Sequence, residues 1–167
     1  MPKVNRSQGK WRNEVFGCVG LLVILADQLS KWWIRENLVL GQSLFDTGFF
    51  RIINIHNTGA AFGIFRNHSL TITIVDFIGI AVILLLVFVW RSRWSFLDGM
   101  LVMSAIGLVL GGTIGNLIDR LHLGYVTDFI DFKVWPVFNV ADMSTTIGVI
   151  IIAYCLIFLA QSTKHQE

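Results

Sequence analysis

Hydropathy divides the chain into four long apolar runs separated by shorter polar stretches. The runs cover about residues 15–34, 70–90, 100–118 and 140–160. Each is close to the roughly 20 residues that an α-helix needs to cross the hydrocarbon of a bilayer. The first run follows Lys3, Arg6, Lys10 and Arg12, as a secretory signal would. It continues through Trp32, Trp33 and Ile34 without a small-residue cleavage site, and so reads as an uncleaved first span. Residues 41–65 are patterned differently. Asp46-Thr47-Gly48 and Asn57-Thr58-Gly59 bracket a β-branched and aromatic run, which predicts a small hairpin-like sheet with an edge open to an extended peptide. The expected fold is therefore an all-α membrane protein. It has four transmembrane helices, that small β-sheet and a second long loop, with residues 1–167 forming one domain.

Composition supports the membrane class. The chain is 54% hydrophobic and only 14% charged, with a mean hydropathy of +0.68; soluble domains carry roughly a quarter charged residues. A net charge of +2 and basic residues without an aromatic-laced patch argue against a nucleic-acid partner. Cys18 and Cys155 lie far apart inside apolar runs, and no Cys/His cluster appears, so neither a disulfide framework nor a zinc site is expected. With four spans, the N-terminal arm, the link bearing Arg91 and Arg93 and the tail bearing Lys164 share one face. The longer loops on the other face carry Arg35, Arg51, Arg66, Arg120 and Lys133. The denser basic face marks the cytoplasm, which predicts both termini inside and the two larger loops outside.

That topology brings the intramembrane polar residues to one depth. Asp27, Gln28 and Lys31 fall in the outer third of the first span, with Asp27 and Lys31 one turn apart. Asp76 enters the second span from outside, where a helix-entry acid at the positive end of the dipole is the plainer reading. Asn116, Asp119 and Arg120 end the third span, and Asn139 and Asp142 begin the fourth. Asp128 lies between them in VTDFIDF, where an extended reading puts Asp131 on the same face and leaves its role open. His56, His68, His122 and His165 show no ligand spacing. The third span also reads GxxxGxxxG at Gly107, Gly111 and Gly115, a pattern that lets helices approach closely and here predicts packing against another span.

Intramembrane acids are costly and usually functional. Two that converge can share a proton and activate water. No GxSxG, HExxH, Walker or GxGxxG pattern occurs, which leaves carboxylate chemistry. A transporter component and a nonenzymatic lipid-binding factor are the competing classes. Transporter sites lie near the midplane at repeat interfaces, whereas these groups gather at one surface and the halves show no repeat.

The ordered set DQLSK (27–31), NTGAAF (57–62), GNLIDR (115–120), VTDFIDF (126–132) and FNVAD (138–142) resembles the bacterial lipoprotein signal peptidases, type II. The resemblance implies an aspartic endopeptidase of the bacterial inner membrane, with a small extracytoplasmic β cradle where residues 41–65 read as a hairpin. Such an enzyme cuts diacylglyceryl-modified prolipoproteins just before the lipidated cysteine, without a cofactor or metal, and a monomer in contact with membrane lipids is expected. It implies Asp128 and Asp142 as the catalytic pair. Asp27, Lys31, Asn57, Asn116, Asp119, Arg120 and Asn139 follow as supporting residues. Trp32, Trp33, Phe129 and Phe138 are expected to line the cleft that admits the acyl chains.

Overall fold

The structure, a computed structural model, describes residues 6–59, 69–90, 97 and 99–164. Ala60, Ala61 and Phe62 of the second motif lie outside the described residues, as do the link arginines. Four helices carry the architecture: α1 (Arg6–Asn37), α2 (Ser69–Leu85, continued by a π-helical segment Leu86–Trp90), α3 (Met100–Leu123) and α4 (Val140–Lys164). Each contains a stretch long and apolar enough to cross a membrane: Trp11–Asn37, Ser69–Val89, Met100–Leu123 and Val140–Phe158. The four expected spans are therefore present, the first and third extending further than hydropathy alone indicated.

α3 is the central helix. It packs against α1, α4 and α2, and its span is 61% buried, while that of α2 is 6% buried. The glycine pattern explains the closeness of the α1 contact. A Cβ on Gly107 would stand 2.8 Å from the carbonyl oxygen of Phe16, and one on Gly111 would stand 2.6 Å from that of Gly20. Small residues thus let the two backbones touch, which in a bilayer replaces the hydrophobic drive that lipid tails cancel. Gly115, one turn on, leaves room for a carboxylate instead: its Cβ would meet Asp27 Oδ2 at 2.6 Å. Gly111→Val is expected to overpack this seam. The cost is about 1–3 kcal/mol, the usual range for extra methyl groups forced into a filled core, and thermal unfolding in detergent measures it.

The expected hairpin forms, and gains a third strand. β1 (Ser43–Asp46) and β2 (Arg51–Asn57) pair antiparallel, and β2 pairs antiparallel with β3 (Val126–Asp131), giving the order β1-β2-β3. β3 is buried along most of its length, so it lacks the alternation of a half-exposed strand, and hydropathy did not announce it. Gly124 ends α3 in the left-handed conformation (φ 78°), its N–H reaching the Arg120 carbonyl, and turns the chain into β3.

Register also corrects one expectation. Arg51 faces Asp131 and Ile55 faces Asp128, with a bulge in β2 between Ile52 and Ile55. Asp128 and Asp131 are three positions apart, an odd spacing that sends them to opposite faces of a strand. Asp131 turns to Arg51 Nε at 2.6 Å and accepts the Lys133 N–H at 2.7 Å. It serves the cradle. Burial alone would push its carboxyl up, but those donors outweigh it and hold it below the usual carboxylate range.

Candidate active site

α4 begins with a reciprocal cap. Asn139 Oδ1 accepts the N–H of Asp142 at 2.9 Å, and Asp142 Oδ2 accepts the N–H of Asn139 at 3.3 Å. This is a capping box in which Asp replaces the usual Glu. The N–H of Ala141, another donor that a helix start leaves unsatisfied, is taken by Asp27 Oδ1 of α1 at 2.9 Å. The fourth span therefore starts where Asn139 and Asp27 require it to, which fixes the height of Asp142.

Asn139 also reaches sideways. Its Nδ2 donates to Asp128 Oδ1 at 2.7 Å and to Asn116 Oδ1 at 3.1 Å. Asn116 Nδ2 in turn donates to Asp142 Oδ1 at 2.8 Å. Asn57, at the end of β2, donates to the second oxygen of Asp128 at 2.8 Å. Both acids are thus held by asparagine amides, and Asn139 touches both. Asn139 is fully buried and Asp128 is 2% exposed. Asp128 is pushed up to about 7, first by burial and then by the neighbouring Asp142 carboxylate.

A second layer of charge supports the first. Lys31, fully buried, lies 2.8 Å from Asp27 Oδ2 and 3.4 Å from Asp119 Oδ2, and donates to Asn116 Oδ1 at 2.8 Å. Asp119 accepts the N–H of Thr127 at 2.9 Å, which ties the residue before Asp128 to α3. The opposite charges within this layer offset a desolvation cost that a lone buried ion would carry in full.

All nine residues singled out in the sequence fall in or against this network. Asn57, Asn116, Arg120, Asp128 and Asp142 line one cavity of about 330 Å³; Asp76 and Phe138 line it too. Asp27, Lys31, Asp119 and Asn139 stand behind it. Three partners were not given roles by sequence reasoning. Gln28 donates to the Gly115 carbonyl at 3.0 Å, and Arg35 Nη1 donates to Thr127 Oγ1 at 3.1 Å. Gln28 lies beside Asp27 in the first motif, but nothing in the sequence marks Arg35 or Thr127. Of the four aromatics expected in the cleft, only Phe138 is there. Trp32 and Trp33 are 56% and 43% exposed on the outside of α1, and Phe129 packs with Ile34 and Leu38. Trp32 and Trp33 follow Lys31 by one and two residues, about 100° and 200° round the helix, and so leave the face that Asp27 and Lys31 occupy.

One apolar recess adjoins the polar cavity, and a second lies apart from it. One, of about 230 Å³, runs between Trp135, Phe138, Met143, Thr146 and Ile147 and reaches Asp142 from the side. The other, of about 280 Å³, lies further along the bundle between α2 and α4, floored by Ile106 and Val109 of α3. Among the described residues no three His, Cys, Asp or Glu side chains gather as a metal would require. What the cavity offers is two carboxyls, Asp128 and Asp142, with an apolar recess beside Asp142.

The signal peptidase (SPase) II family model matches residues 19–158. A lipoprotein signal peptidase of Dehalococcoides mccartyi is 44% identical over 154 residues, covering 92% of this chain and 93% of that one. One from Moorella thermoacetica is 42% identical over 146 residues, covering 87% and 94%. A solved structure described as a bacterial membrane enzyme, at 2.3 Å resolution, is similar with a TM-score of 0.76 at 30% identity over 90% of each chain. With four membrane-length helices and these likenesses along most of its length, the chain is a multi-pass membrane protein, and it belongs to the signal peptidase II family.

Proposed function

We propose that the protein is an aspartic endopeptidase that removes the signal peptide from diacylglyceryl-modified prolipoproteins, cutting just before the lipidated cysteine. The observation that carries the reading is the convergence of Asp128 and Asp142 on one cavity, each held by asparagine amides and joined through Asn139. Family membership supports the protease and its prolipoprotein substrate.

In the proposed mechanism Asp142 is the ionised partner. It stands in the first turn of α4, where the positive end of the helix dipole favours an anion. Asp128, the more deeply buried acid, carries the shared proton. Asp142 takes a proton from water as the oxygen attacks the scissile carbonyl carbon, while Asp128 protonates the carbonyl oxygen. The tetrahedral intermediate collapses when the amide nitrogen is protonated from Asp142 and the C–N bond breaks. The hydroxyl proton left on the carbon centre returns to Asp128. The new carboxylate belongs to the signal peptide and the new amine to the lipidated cysteine.

The same reading places the cavity at the outer surface of the inner membrane, with both termini in the cytoplasm. On this reading the signal helix docks against α2 and α4, with an apolar side chain entering the recess between them, and the enzyme acts as a monomer. Incubating purified protein with a lipidated precursor and weighing the products tests it. A released peptide that ends one residue before the modified cysteine is expected, and no cleavage, or cleavage elsewhere, sinks the proposal.

A pH profile follows from Asp128. Its carboxyl moves from an ordinary 3.8 to about 7, so it keeps its proton below about pH 7 and loses it above. Because the protonated form is the reactive one, kcat/KM is expected to fall as pH rises through about 7, about tenfold per unit beyond it. The dyad titrates as a unit, so the profile reports the pair. A rate that climbs steadily from pH 6 to 9 would exclude this assignment.

A further inference from the structure

α2 is the most lipid-exposed of the four spans, and Asp76 is its one ionisable residue. Its neighbours Val75 and Phe77 are 60% and 51% exposed. The helix-entry explanation does not account for it, because Asp76 lies beyond the first turn of α2, where the dipole's influence has faded. Asp76 instead points into the catalytic cavity and accepts a hydrogen bond from Arg120 Nη1 at 2.6 Å, the two side chains being 13% and 10% exposed.

Adjacent residues of α3 divide the work here. Asp119 faces α1 and β3, where Lys31, Arg35 and the Thr127 N–H meet it, while Arg120 faces α2 and the cavity. A guanidinium presents five N–H donors in a rigid fork. With Nη1 engaged by Asp76, the guanidinium stands in the wall of the space that Asp128 and Asp142 also line. A carboxylate on another helix thereby sets the direction of the fork.

We propose that Asp76 is a positioning residue: its carboxylate aims the Arg120 guanidinium at a backbone carbonyl of the bound precursor, next to the scissile bond. This rests on the proposed peptidase function and adds the α2 acid to its binding machinery. The pair also ties the outer end of α2 to α3, and the experiment separates that tether from the aiming role.

Four variants are compared with wild type on one lipidated precursor: Asp76→Asn, Arg120→Gln, their double, and the exchange Asp76→Arg with Arg120→Asp. Melting temperature in detergent is followed alongside. Asp76→Asn is expected to raise KM about tenfold with kcat within about twofold, the scale of one charge-assisted hydrogen bond made equally in ground and transition states. The double variant is expected to be no worse than Arg120→Gln alone, since both remove one interaction. The exchange should recover the melting temperature but not KM, because it restores the tether and leaves an acid where the fork belongs. Additive losses, a wild-type KM in Asp76→Asn, or recovery of KM by the exchange would each overturn the proposal. Should Asp76→Asn prove too unstable to assay, Asp76→Glu keeps the charge and shifts it by one methylene. A raised KM at an unchanged melting temperature is expected there, and an unchanged KM overturns the proposal. Absence of cleavage by wild type would instead overturn the peptidase reading itself.

Discussion

Asp128→Asn and Asp142→Asn are each expected to lower kcat by at least about a thousandfold while leaving the protein folded in the membrane, a loss in the upper part of the range that general acid–base groups contribute. The amide keeps the size of the carboxyl and one acceptor oxygen, so the cavity survives, although its NH₂ now faces one of the donors that met the carboxylate. It cannot exchange the proton that moves between water, carbonyl and leaving nitrogen. Melting temperature in detergent should therefore change little for Asp142→Asn. For Asp128→Asn a modest fall is expected, since both oxygens of Asp128 accept from asparagine amides and the new NH₂ loses one of those bonds. Asp131→Asn is the internal control. That carboxylate pairs with Arg51 on the other face of the strand, and its loss should leave turnover within about twofold, as a partly exposed ion pair contributes little. Near-normal turnover by either dyad variant would remove that residue from the mechanism, and equal loss in the control would return Asp131 to candidacy.

Removing the diacylglyceryl group from the precursor is expected to slow cleavage at least about a hundredfold. The proposed site cuts only what is held at its depth. A signal helix docked against α2 and α4 would position the chain laterally, but helices slide. Two acyl chains on the adjacent cysteine fix the height, because each buried CH₂ contributes roughly 0.8 kcal/mol. The recess between Trp135, Phe138, Met143 and Ile147 reaches Asp142 from the side and is apolar enough to admit a chain. Rates measured on one precursor with and without the lipid, in the same detergent or liposomes, decide the matter. Equal rates would mean that peptide alone is read.

Much of this arrangement was legible along the chain. Long apolar runs give the spans because a bilayer leaves a backbone few other solutions. Asp27, Asn116 and Asp142 fall at one level because helical rise converts position into depth. The glycine ladder announced a close helix contact, though not that α1 would be the partner; spacing specifies a face, and tertiary packing chooses what meets it. β3 was hidden for a related reason. A strand buried on both sides loses the period of two that would reveal it, and its pairing with β2 spans the whole of α2 and α3 in sequence. Arg35 and Thr127 escaped notice because each is unremarkable alone, and only their meeting beside Asp119 gives them a purpose.

Asn139 is both the residue that starts α4 and the amide that joins the two acids. Folding and activation thereby become a single event. If α4 were to slip by one residue, or had not yet packed against α1, the cap and the carboxyl pair would come apart together. A half-inserted chain would therefore be inert, with no separate latch or propeptide required to keep a membrane protease silent while it assembles among its own substrates.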